Sequence, residues 1–105
     1  MVHQAVGMVE VYGLVAAFAA CDAGAKAGNV TVEKFDKNKP ANADSLPVPL
    51  LVCVKFRGGV SDVQAAVDAA LEAAKRVSGI VTYYVIPQAE EDTEKMLKLS
   101  GFDVD

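Results

Sequence analysis

Apolar and polar residues alternate at the start of the chain, with Val9 and Val11 on one face and Met8 and Glu10 on the other. A period of two predicts a strand over Gln4–Val11. The chain turns through Tyr12-Gly13 into an alanine-rich run, where a helix is predicted over Leu14–Ala27. Leu14, Phe18, Cys21 and Ala25 recur at helical spacing and are its expected buried stripe. Alanine is both the best helix former and the smallest side chain that still packs. This helix is therefore expected to approach a sheet or a second helix closely. Gly28-Asn29 is expected to end it with a left-handed cap, and Lys26 suits the negative pole of the helix dipole.

A second strand is predicted over Val30–Lys37. The stretch Asn38–Pro49 holds Pro40, Pro47 and Pro49 among asparagine, aspartate and serine. Proline fixes φ and supplies no backbone donor, so this stretch is a loop. Leu50–Arg57 reads as a third strand, with Val52, Val54 and Phe56 facing one way and Leu51, Cys53 and Lys55 the other. One face belongs to the core and the other is partly wet.

Gly58-Gly59 turns the chain, and Ser61 with Gln64 three residues on forms an expected capping box. The helix it opens runs to about Val77, with Val63, Val67, Ala70, Leu71 and Ala74 as its apolar stripe. Ser78-Gly79 stops it. Ile80–Ile86 is a fourth strand, ended by Pro87, and Glu90 to about Leu99 forms a short terminal helix. Met96, Leu97 and Leu99 are too few to anchor that helix strongly, and Gly101–Asp105 is expected to fray. The order βαββαβ plus a tail helix predicts an α+β, ferredoxin-like fold: a four-stranded antiparallel sheet with two helices on one face.

Composition narrows the reading. The 105 residues suffice for one domain and one core. Hydrophobic residues make up 52% and charged ones 23%, the profile of a folded globule. A net charge of −4 with no basic stripe argues against nucleic acid. Lys34, Lys37 and Lys39 are interleaved with Asp36 and followed by Asp44, which reads as a solvated charged segment. The N-terminus has neither the positive region nor the long apolar run of a secretory signal. The apolar run Leu14–Cys21 is shorter than the about 20 residues a bilayer span needs. Cys21 and Cys53 have no metal-ligand or C-x-x-C spacing, and each is expected to act as a small buried or half-buried hydrophobe. A reducing cytosolic setting fits, and no cofactor or metal is implied.

Catalytic chemistry finds no support. His3, the single histidine, precedes the first strand and is expected to be inert. Glu90-Glu91-Asp92 open the last helix, where their charge offsets the positive pole of the dipole. Neither G-x-x-x-x-G-K-[ST] nor G-x-G-x-x-G occurs, so nothing suggests a phosphate cradle.

Several motifs then stand together in order: Gly7-Met8-Val9-Glu10, Gly13-Leu14-Val15-Ala16-Ala17, Asp22-Ala23, Lys26-Ala27 and Asn29-Val30, followed by Phe56-Arg57-Gly58-Gly59-Val60-Ser61-Asp62-Val63 and Val85-Ile86-Pro87-Gln88-Ala89. From about Ala5 to Pro87 this order resembles the hexameric shell proteins of bacterial microcompartments, the BMC family. The resemblance implies a structural role in a cytoplasmic microcompartment shell, as cyclic homohexamers that tile edge to edge with other shell proteins. It implies that Lys26 lies at the hexamer edge and hydrogen-bonds carbonyls of the neighbouring hexamer, with Asn29 close by. A flexible ammonium with three donors can satisfy several carbonyls at once. Gln88 stands where the family commonly has arginine at the contact between hexamers, which implies weaker or differently arranged sheets.

In that family a short loop, commonly G-S-G, lines the pore on the six-fold axis and faces passing small metabolites. Here Lys39-Pro40-Ala41 replaces the glycines, and Asn42–Leu50 has no counterpart in the short form. Lys39, Pro40, Ala41, Asn42, Ala43, Asp44 and Ser45 are the residues this alignment brings to the pore region. Six copies of Asp44 near one axis would make an acidic ring, attracting cations and repelling anions. Such a loop either plugs the pore, builds a turret, orders on binding, or lies on the surface away from the axis. Two other functions stay open: a ferredoxin-like module binding a small ligand between subunits, and a metal-binding shell variant. The second is disfavoured because neither cysteine falls in the loop.

Overall fold

The computed structural model describes residues 4–103. His3 lies outside them. Strand β1 (Ala5–Tyr12) leads through Gly13 into α1 (Leu14–Ala27), followed by two short strands, β2 (Thr31–Val32) and β3 (Asp36–Asn38). A 3-10 turn at Ala43–Ser45 precedes β4 (Leu51–Gly58), α2 (Val60–Lys75), β5 (Ile80–Ile86) and α3 (Glu91–Leu97). The sheet is antiparallel throughout, in the order β2-β4-β1-β5, with β3 also paired to β4. The α+β ferredoxin-like architecture is as expected. The single strand predicted over Val30–Lys37 is instead two pieces on the same edge of β4, separated at Glu33–Phe35.

Register assigns the faces. Gly7 pairs with Phe56, Val9 with Val54 and Val11 with Val52, and these residues face α1 and α2. Val9, Val11, Val52, Val54, Phe56, Val63, Ala66, Val67 and Ala70 are fully buried there. The opposite face carries Met8 against Lys55, Glu10 against Cys53 and Val6 against Arg57. The predicted alternation of β4 therefore holds. β5 is the outer strand on one side, and Val81, Thr82, Tyr83 and Tyr84 along it are exposed.

Helix α1 is turned relative to expectation. Its buried residues are Ala16, Ala17, Ala20 and Gly24, whereas Leu14 and Phe18 are exposed at 40% and 60%, Cys21 is half-buried and Ala25 is exposed. Small residues won the inner face because α1 packs directly on α2 and the sheet. A Cβ at Gly24 would overlap the Phe56 ring and come within 3.0 Å of the Ala66 carbonyl oxygen. Gly28 is extended (φ −140°, ψ 160°) rather than left-handed. Its lack of a side chain serves closeness to the Asp62 carbonyl, which a Cβ would overlap. The expected capping box is absent as well: Gly59 precedes α2, Ser61 lies within its first turn, and Gln64 donates to Asp68 (3.0 Å).

The C-terminal segment is anchored, contrary to expectation, through polar contacts. Lys55 Nζ donates to the carbonyls of Leu97 (2.7 Å) and Leu99 (3.1 Å). Arg57 pairs with Glu94, the Ser100 hydroxyl donates to the Phe35 carbonyl, and Gly101 N–H donates to Asp36 Oδ1 (2.6 Å). Residues 104 and 105 lie outside the described chain.

Candidate functional site

The residues singled out in the sequence fall at the two ends of the sheet. At one end β1 begins, and Ala5 pairs with Gly58, Val6 with Ile86 and Thr31 with Arg57. Here α1 stops. Lys26 sits in its last turn with its side chain 75% exposed and its Nζ 2.8 Å from Asp22. An exposed i,i+4 pair of this kind is weak, so the ammonium can exchange Asp22 for other acceptors. Asn29 is exposed, and its backbone N–H donates to Asp62 Oδ1 (3.1 Å), tying the end of α1 to the first turn of α2. Gln88 is exposed just past Pro87, where β5 runs out at this same end of the sheet.

The proline-containing loop stands at the opposite end, where β1 finishes and α1 starts. Its residues 39–50 leave β3 at Asn38, which pairs with Leu51 of β4. The loop is folded on itself. Ala43 N–H donates to the Pro40 carbonyl (3.0 Å), and Leu46 N–H to that of Ala43 (3.1 Å). The Asn42 carbonyl accepts from both the Ser45 N–H (2.9 Å) and the Ser45 hydroxyl (2.7 Å). Ala43 is buried and Pro40 half-buried, while Lys39, Ala41, Asn42, Asp44 and Ser45 are exposed. The loop is closed onto the helix start by Gly13 N–H donating to the Leu50 carbonyl (2.8 Å). Gly13 has φ +88°, a conformation glycine adopts without strain, and a Cβ there would come within 3.0 Å of Val48.

A third region was missed in the sequence. Lys55 and Arg57 are 3% and 8% exposed, roofed by α3 on the sheet face away from the two long helices. Arg57 is shared between Glu33 (2.9 Å from Nε) and Glu94, and its Nη1 has no partner among the described residues. Two cations in successive outward positions of a strand were the available signal, since such groups are buried only when paired. Beside them Glu10 and Asp36 flank Cys53 in register. Burial, then the charge of Asp36, raises the Glu10 pKa. Burial, with Glu10 and Asp36 adding to it and Lys55 opposing, pushes the Cys53 thiol up to about 11.

An open groove of about 530 Å³ lies between α1 and the C-terminal residues. Leu14, Phe18, Cys21, Phe35 and Phe102 give it apolar walls, and the Phe18 and Phe35 rings meet at 5.1 Å between centroids. Among the described residues, no group of three His, Cys, Asp or Glu side chains could hold a metal ion. Nor is any helix among them long and apolar enough to cross a membrane.

The match to known proteins spans both ends of the sheet. The BMC domain model covers residues 5–89, from the first residue of β1 to just beyond Gln88. The chain belongs to the BMC-domain family. The microcompartment shell protein PduA of Citrobacter freundii is 39% identical over 97 residues, spanning 92% of this chain and 95% of PduA. The carboxysome shell protein CcmK2 of Synechococcus elongatus is 37% identical, over 90% of this chain and 86% of its own. Among solved structures, a microcompartments protein from Desulfitobacterium hafniense superimposes with a TM-score of 0.70 at 22% identity, covering 94% of this chain. The present chain spans 49% of that protein's length, and the likeness is one of fold. This BMC domain is thus a structural shell protein and not an enzyme, as the expectation from its motifs had it.

Proposed function

We propose that this BMC domain assembles into cyclic hexamers that tile into the facets of a cytoplasmic microcompartment shell. In this reading the loop of residues 39–50 stands near the six-fold axis and controls the passage of small metabolites. The carrying observation is the separation of the two residue sets: the loop is at one end of the sheet, and Lys26, Asn29 and Gln88 are at the other. A ring subunit needs one end for the axis and the other for the neighbouring ring. Head-to-tail contacts that close on themselves produce such rings.

The edge chemistry supports the reading. Among the described residues Lys26 is held only by the exposed Asp22, so its donors are available to carbonyls of another hexamer. Gln88 keeps a donor but lacks the charge and planar fork of arginine, and it favours a component that tiles weakly alone or mixes with other shell proteins. At the axis, the internally bonded turn at residues 40–46 favours a formed plug or turret over a segment that orders only on binding. Asp44, exposed on that turn, supplies the acidic ring.

Light scattering on a size-exclusion column at moderate salt tests the assembly. A mass near six chains is expected. A stable monomer or dimer would overturn the hexamer and leave the loop with no axis to line.

A further inference from the structure

The roof over Lys55 and Arg57 is built unlike the rest of the molecule. Helix α3 has only seven residues and no buried side chain, with its Met96 and, just beyond it, Leu99 exposed at 66% and 57%. A helix that short does not hold itself together in water, so its order derives from what it docks on. Lys55 Nζ satisfies the carbonyls of Leu97 and Leu99, at the negative pole of α3. Arg57 takes Glu94, one turn earlier. The tail beyond is fastened to the β3 side by Ser100 on the Phe35 carbonyl, Gly101 on Asp36 and Phe102 beneath the Lys37 ammonium (5.1 Å to the ring centroid).

We infer that residues 90–102 form a strap that detaches as a unit, latched by Lys55 and Arg57, and that its release opens both the outer sheet face and the aromatic groove. Two features make detachment reversible. The latch cations do not become buried orphans when the strap leaves, because departure gives them to water, and Arg57 also keeps Glu33. The core packed between the two long helices and the inward residues of β1 and β4 lies on the other face of the sheet and holds no strap residue. Helix α1 meets the strap along the groove that Leu14 and Phe18 share with Ser100 and Phe102. Val6, fully buried on the strap side, favours the closed form. Ser100 and Phe102 line the groove beside Phe18 and Phe35, so opening removes one of its walls. The exposed cluster Glu90-Glu91-Asp92 leaves with the strap.

Hydrogen exchange by mass spectrometry on the full chain, in its native assembly, tests this with Lys55→Met and Glu94→Gln. Amides of residues 94–102 are expected to exchange at least tenfold faster in each variant than in the parent, with β1 and β4 unchanged. Trypsin should cut faster after Lys95 and Lys98. Should Lys55→Met lose protection in β4 as well, Glu94→Gln decides, since it leaves every side chain of β4 in place and Arg57 still paired with Glu33. Exchange at 94–102 equal to the parent in Glu94→Gln, or rising in step with β4, would overturn the inference. The oligomeric mass, read on the same samples, reports separately on the hexamer.

Discussion

Gly24 of α1 faces the ring of Phe56 on β4 so closely that a single added carbon would overlap it. The contact sets how near the helix layer sits to the sheet. Alanine would improve the helix by up to about 1 kcal/mol, but overpacking a filled core costs about 1–3 kcal/mol. Gly24→Ala is therefore expected to lower stability, read as a lower urea midpoint at fixed protein concentration. Adding Phe56→Leu should recover part of the loss in Gly24→Ala, because it removes the overlapping ring atoms. Equal midpoints for Gly24→Ala and the parent would contradict this.

Glu10 gives a pH dependence whose sign follows from its surroundings. Burial and Asp36 raise its folded pKa above the ordinary 4.5, so the folded state binds the proton more tightly than the unfolded one. Stability from this group is complete below the unfolded pKa and is lost as pH rises through the folded value. Glu10→Gln should accordingly raise the melting temperature at pH 7 and leave it unchanged near pH 3. A drop at pH 7 would mean that the carboxylate holds a partner that matters more than its burial.

Cys53 should be a poor nucleophile. A thiol pushed from 9.0 to about 11 holds roughly 100-fold less thiolate at pH 8, and the thiolate is the reacting species. In a Cys21→Ser background, iodoacetamide should label Cys53 about 100-fold more slowly in the folded chain than in urea. Equal rates would show that this part of the sheet face is open to water.

The residues proposed for the ring edge can be tested against each other. Gln88→Arg restores a planar charged fork and should produce larger sheets by electron microscopy. Lys26→Ala removes the exposed ammonium and should leave discrete particles of unchanged mass. Identical assemblies from both variants and the parent would remove these positions from the contact between rings.

Much of this architecture was legible because its signals are local. Alternation in β1 and β4, the glycine breaks at Gly13 and Gly58-Gly59, and the uninterrupted run Ile80–Ile86 each specify their element without reference to a neighbour. The misreadings concern what neighbours do. Helical spacing marked Leu14 and Phe18 as core, but the Phe56 ring fills space under α1, and the residues that α1 buries are the small Ala16, Ala17, Ala20 and Gly24. The three apolar residues of the last helix suggested a loose tail, whereas Lys55 and Arg57, far away in sequence, hold it by its carbonyls and by Glu94. The residues proposed for the ring edge and the pore loop rest on motif order, since a lone exposed lysine or a proline-rich loop carries no such signal by itself.

The outer strand β5 has a consequence for how the chain must be handled in a cell. Ile80–Ile86 contains no charge and no proline, its middle residues are exposed, and among the described residues no strand pairs with its far side. Sequences of that kind template the addition of further strands. A copy whose β5 edge stays uncovered is therefore at risk of precipitating, and any cover over this strand protects the pool of newly made chains.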